Sequence, residues 1–197
     1  MDMNETQNRI METVIEEFNK KGLKFTMDDV AKDLHMSKKT IYKEYADKAE
    51  LFDNMVDYCF SSIKKSEAGI MNDPKLSTVD KISGILIALP DNYKNIDFRM
   101  MYQLKDKYPD VYTKIEKKLE TDWDNTICLL EQGMEEGVIR RVPVAVIKAM
   151  VEAAIEKFLS SDVLISGNTG YNQALETMVD IIMNGICAKN VELTAEK

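Results

Sequence analysis

The chain has 197 residues, with 34 Asp and Glu against 26 Lys and Arg, for a formal net charge of −8. At 45% hydrophobic and 30% charged, it has the composition of one large globular domain or two small ones. The longest apolar run, "ILIAL" at 85–89, is far below the ~18 residues of a membrane span. The acidic balance argues against sequence-blind nucleic-acid binding, and residues 1–62 are themselves acidic, with nine cations and thirteen carboxylates. One His and three scattered cysteines (Cys59, Cys128, Cys187) provide neither a Cys/His zinc set nor a disulfide framework. No metal or cofactor is expected. The polar, acidic start "MDMNETQNR" is unlike a secretory signal or transit peptide, so the expected location is the cytoplasm, with no membrane partner.

Residues 5–21 predict an amphipathic helix, with Ile10, Val14 and Phe18 on one stripe and Gly22 closing it. Thr26 is placed to cap a short helix, with Asp29 at capping-box spacing and Met27, Val30, Ala31 and Leu34 on the inner face. "HMS" interrupts, Ser37 is the next cap, and a third helix runs from Lys38 to about Glu44 with Ile41 and Tyr45 inward. Asp47 and Glu50 form another capping pair at the start of a long helix carrying Leu51, Phe52, Met55, Val56, Cys59, Phe60 and Ile63. Further helices are predicted over about 76–89, 97–107, 109–135, 143–165 and 172–189, and no segment predicts a strand. The fold class is therefore all-α, with about nine helices.

Helix, three-residue turn, helix over 26–44 is the geometry of a helix-turn-helix, whose second helix enters the DNA major groove. From Leu34 to Lys43 the chain has three lysines and no carboxylate. A helix approaching phosphates repels acids, while Lys38, Lys39 and Lys43 replace condensed counterions. Tyr42 is spaced to bond a phosphate.

"FTMDDVAKDLHMSKKTIYKEYADKAELFDNM", 25–55, resembles the N-terminal signature of the TetR family of bacterial transcriptional regulators. The matching residues are Thr26, "VA" at 30–31, Ser37, Thr40, "IY" at 41–42, Tyr45, Lys48 and Leu51. His35 departs from the glycine usual in that turn; the position requires φ > 0, which His tolerates better than most residues. Glu44 is a second departure. The resemblance implies a DNA-binding domain at 1–62 and a helical ligand-binding and dimerisation domain at 63–197. It also implies DNA contacts from Thr26, Met27, Asp28, Ser37, Lys38, Lys39, Thr40, Tyr42 and Lys43, with Lys48 on the backbone. Lys38 and Lys39 could meet guanine edges or phosphates.

In the C-terminal part, Phe98, Met101, Tyr102, Tyr112, Trp123, Ile127, Met134, Met150 and Phe158 are candidates for an adaptable apolar ligand pocket. The last two helices have wide apolar faces, carrying Ile147, Met150, Val151 and Ile155, and Val179, Ile181, Ile182 and Ile186. Faces that wide need cover on two sides, and a symmetric partner supplies it. The expected function is that of a homodimeric regulator of double-stranded operator DNA, a repressor released by a hydrophobic or amphipathic small molecule. A constitutive DNA-binding interaction protein is the alternative. An all-α enzyme has no triad, metal cluster or phosphate loop to support it.

Overall fold

The computed structural model describes residues 3–90, 98–161 and 163–188. Helix α1 (Glu5–Lys21) opens on a capping box that the sequence reading did not identify. The Asn4 side chain accepts the Gln7 N–H at 2.9 Å, and the Gln7 side chain accepts the Asn4 N–H at 3.0 Å. Gly22 ends α1 at φ 57°, where a Cβ would also crowd the Gln103 side chain at 3.0 Å. A single 3-10 turn, Gly22–Lys24, leads to α2 (Met27–Asp33), α3 (Lys38–Glu44) and the 25-residue α4 (Lys48–Asn72). Glu50 accepts the Ala46 N–H, and Asp47 accepts the Glu50 N–H, so both residues cap the start of α4.

After α5 (Thr78–Leu86), the segment expected to be helical at 97–107 is a 3-10 turn, Phe98–Gln103, followed by one α-turn, α6 (Leu104–Lys107). The helix expected over 109–135 divides into α7 (Pro109–Thr121) and α8 (Asp124–Glu135). The apolar stripe continues through this break, which is why periodicity misses it. At the break, the Trp123 indole N–H donates to Leu119 O at 2.8 Å, and the Lys64 ammonium donates to Asp122 O at 2.6 Å. Buried Glu67, bonded by Lys64 and Asn125, holds that ammonium in place. Helix α9 (Val144–Ser160) stops before the expected end and is followed by the single turn α10 (Val163–Ser166) and by α11 (Tyr171–Ile186). Among the described residues, nine helices are seven residues or longer. Among the same residues, the one strand-like pairing is an antiparallel bridge, Ile139 to Cys187.

The chain divides into two units. The first is Met1–Ser62 with Asn95–Lys118, and the second is Ile63–Lys94 with Leu119–Lys197. The first unit thus includes 95–118, which the sequence-based division assigns to the second domain. Aromatic packing and ion pairs explain this. Phe52 meets Phe18 and Phe25 edge-on at 5.5 Å and Tyr108 at 4.9 Å. Lys114 lies 2.8 Å from Asp53 and 2.6 Å from Asp57, while Lys118 is 3.3 Å from Asp57. Ile10, Met11, Phe18, Phe25, Ile41, Leu51 and Met55 complete this core.

The second unit has its own core on α5, α8, α9 and α11, including Ile82, Leu130, Val151, Ile182 and Met183. Gly133 of α8 permits the close approach there, since a Cβ would lie 2.9 Å from Ile82 Cδ1. The wide faces of α9 and α11 divide between this core and solvent. Ile147, Val151, Val179, Ile182 and Ile186 are buried, whereas Val146, Met150 and Ile181 are exposed.

Candidate nucleic-acid interface

Local capping builds the motif. Thr26 Oγ1 accepts the Asp29 N–H at 3.2 Å, and Asp29 Oδ2 accepts the Thr26 N–H at 2.7 Å and its hydroxyl at 2.8 Å. Lys21 stands 3.2 Å from the other carboxylate oxygen, joining the end of α1 to the start of α2. Chiefly through the Thr26 hydroxyl and N–H, and then Lys21, the Asp29 pKa falls from its ordinary 3.8 to about 2. A depressed carboxylate pKa stabilises the fold above the unfolded-state value and loses that contribution as pH falls through the folded-state one. Acid titration should therefore remove a stabilising component between 3.8 and about 2. Asp29→Asn should lack that component, and an unchanged acid limb in urea melts would refute the assignment.

Helix α2 ends in a Schellman turn. The Met36 N–H donates to Ala31 O at 2.8 Å and the His35 N–H to Lys32 O at 3.0 Å, with His35 at φ 53°. The left-handed conformation expected of this position is the one observed. A side chain there costs about 1–2 kcal/mol, partly offset because glycine has more freedom to lose on folding. His35→Gly should therefore stabilise the protein by up to about 1 kcal/mol, and His35→Val should destabilise it by about 1–3 kcal/mol. Urea midpoints in the opposite order would exclude this account.

Ser37 caps α3, its Oγ accepting the Thr40 N–H at 3.1 Å and lying 2.9 Å from the Thr40 hydroxyl. Ile41 and Tyr45 anchor the helix at 0% and 2% exposure. The Tyr45 hydroxyl has no hydrogen-bond partner among the described residues, and burial pushes its pKa up to about 12. On the outer face, Tyr42 is half exposed and Lys38, Lys39 and Lys43 are exposed. Lys38 pairs with Asp28, while Lys39 and Lys43 have no ion-pair partner among the described residues.

Two residues expected at the DNA surface are placed otherwise. Met27 is 7% exposed and packs into the core, because it is the first residue of the inner stripe of α2. The Lys48 ammonium donates to Leu23 O at 2.8 Å and to Phe25 O, and lies 4.1 Å over the Phe25 ring. Burial, followed by repulsion from Lys107, lowers its pKa. It fastens the loop before α2 to the start of α4. Sequence reasoning missed the Asp28–Lys38 and Lys21–Asp29 pairs, whose only local sign is that the Thr26 cap uses Asp29 and leaves Asp28 free to turn outward.

The nine pocket candidates fall into separate groups. Met101, Tyr102 and Tyr112 belong to the first unit, where the two tyrosines meet edge-on at 5.6 Å. Trp123 is buried in the core of the second unit, with Ile127 and Met134 packed against that core. Met150 and Phe158 line an open groove of about 470 Å³ between α9 and α11, together with Ala154, Met178, Ile181 and Ile182. The Phe98 side chain lies outside the described residues.

A capped α2, a left-handed turn and an α3 with a cationic outer face define a helix-turn-helix of the DNA-binding regulator class. Residues 10–55 match the model of the bacterial regulatory proteins, tetR family. Over that segment the chain carries the DNA-binding domain of a family of bacterial regulatory proteins, and the curated relative that it matches is a transcriptional regulator. It is 25% identical over 180 residues to the HTH-type transcriptional regulator YvaF of Bacillus subtilis, covering 91% of this chain and 95% of that one. Among solved structures, it resembles a TetR transcription regulator from Haloarcula marismortui (TM-score 0.65, 13% identity, 94% and 100% of the two chains). It also resembles PfmR from Thermus thermophilus (0.61, 19%, 89% and 97%). A third neighbour is FadR from Bacillus subtilis in complex with stearoyl-CoA (0.60, 14%, 91% and 98%). Among the described residues, no helix is long and apolar enough to cross a membrane.

Proposed function

We propose that this protein is a cytoplasmic, homodimeric repressor that binds a specific operator and is released by a hydrophobic or amphipathic small molecule. The observation that carries the reading is the outer face of α3, where Tyr42, Lys39 and Lys43 stand exposed with no carboxylate between Leu34 and Lys43. Lys39, Lys43 and Tyr42 are the proposed phosphate contacts, with Thr26, Ser37 and Thr40 at the helix starts. Two copies of α3 are needed to reach half-sites one helical turn apart, about 34 Å. The apolar groove between α9 and α11, bordered by exposed Met150 and Ile181, suits a second copy of the chain.

Helix α4 is a continuous link for regulation. It begins just after the motif, at Lys48, and runs past Ser62 into the second unit. A ligand that binds the second unit and favours a different setting of α4 changes the spacing of the two recognition helices. Linkage requires it to bind the DNA-incompetent state more tightly, typically by about 1–3 kcal/mol. The fatty-acyl ligand of the FadR neighbour supports an amphipathic effector class.

The test starts by selecting a duplex from a random pool with the wild-type protein. The operator dissociation constant is then measured with and without stearoyl-CoA, whose occupancy is followed by the fluorescence of Trp123, the single tryptophan. Weakened binding supports the reading. Saturation with no change in operator affinity favours the constitutive alternative, because equal affinity for both states shifts nothing. Failure to enrich any duplex overturns operator binding itself.

A further inference from the structure

We propose that Asp28 determines specificity by holding Lys38 for a base edge and away from phosphate, an inference that rests on the DNA-binding reading above. The α2 cap does not require Asp28, since Asp29 makes every bond of the capping box. The Asp28 carboxylate instead turns to Lys38, the first residue of α3. Both side chains are at the surface, 38% and 62% exposed, so the pair is open to exchange with a competing ligand. Lys39 and Lys43 have no such partner among the described residues. The segment cleared of acids in the sequence thus receives one acid back through the fold, and it is aimed at one lysine.

The two kinds of DNA ligand respond differently to that carboxylate. A phosphate approaching Lys38 also approaches Asp28, and the two anions repel. A guanine edge is neutral and offers O6 and N7 as acceptors. An ammonium has three donors, so Lys38 can bond a guanine edge while keeping one bond to Asp28. A lysine already balanced by a carboxylate also releases fewer condensed counterions on contact with phosphate. Lys38 is therefore a base reader, while Lys39 and Lys43 supply the salt-dependent, sequence-blind term. Asp28 reduces binding at sites that offer only phosphate, which suits an acidic regulator competing against the rest of the genome.

The test compares Asp28→Asn, Lys38→Ala and Lys39→Ala on a mixed-sequence duplex and on the duplex selected by the wild type. Lys39→Ala should lower the slope of log affinity against log salt by about 0.9 on both duplexes. Lys38→Ala should leave the mixed-sequence slope unchanged and lose roughly tenfold or more of the discrimination at one guanine position. Asp28→Asn should raise the mixed-sequence slope by up to about 0.9 and lower the ratio of specific to mixed-sequence affinity several-fold. The proposal is overturned if Asp28→Asn changes neither quantity, or if Lys38→Ala flattens the slope as much as Lys39→Ala. A normal slope and affinity for Lys39→Ala would instead overturn the interface reading beneath it.

Discussion

Ile181→Glu is expected to convert the protein to a monomer and to weaken operator binding by about 10²–10⁴-fold, the scale of avidity lost when two linked sites become one. Ile181 is 64% exposed on α11 and borders the groove against α9, so the substitution leaves the core of the second unit intact. A carboxylate there stays solvated in the monomer but would be desolvated in a dimer seam. Sedimentation velocity should show the loss of dimer with native circular dichroism. The neighbouring Ile182→Glu should behave differently, because Ile182 is 5% exposed within the core cluster. That substitution buries an unpaired charge and should unfold the second unit. A wild-type monomer at micromolar concentration, or a dimeric Ile181→Glu protein, would refute the assignment of this face.

The double substitution Lys39→Ala/Lys43→Ala should reduce the salt slope of operator binding by about 1.8, and affinity at physiological salt on the order of tens-fold. Both lysines are exposed and free of carboxylates among the described residues, so their charge is available to phosphates. The Ser37 cap and the buried Ile41 and Tyr45 hold α3 without them, and the thermal melt should not move. Because phosphate contacts carry no base information, the losses on selected and mixed-sequence duplexes should be similar. A large change in sequence preference, or an unchanged slope, would contradict this.

Features that depend on residues three to five apart could be read from the sequence alone. The Thr26–Asp29 box, the Ser37 cap, the positive φ at His35 and the inward Ile41 all lie in this class. Each is governed by a hydrogen bond or a steric limit within one helical turn, so the residue types themselves specify it. This is why the helix-turn-helix and its family signature were readable from the residues.

Tertiary structure decided the features that rely on distant partners. The helix break at Trp123 depends on Lys64, 58 residues before Asp122, and an unbroken four-residue stripe gives no sign of it. Lys48 points to backbone carbonyls 23 and 25 residues earlier, so a lysine with a surface pattern became part of the scaffold. The assignment of 95–118 to the first unit rests on Phe52 meeting Tyr108 and on Lys114 meeting Asp53 and Asp57. Ile181 and Ile182 are chemically identical neighbours, and a wide apolar stripe cannot say which one the core takes. Only the rotation of α11 against α9 sets one against the core and the other toward solvent, because burial depends on which helix faces meet in space.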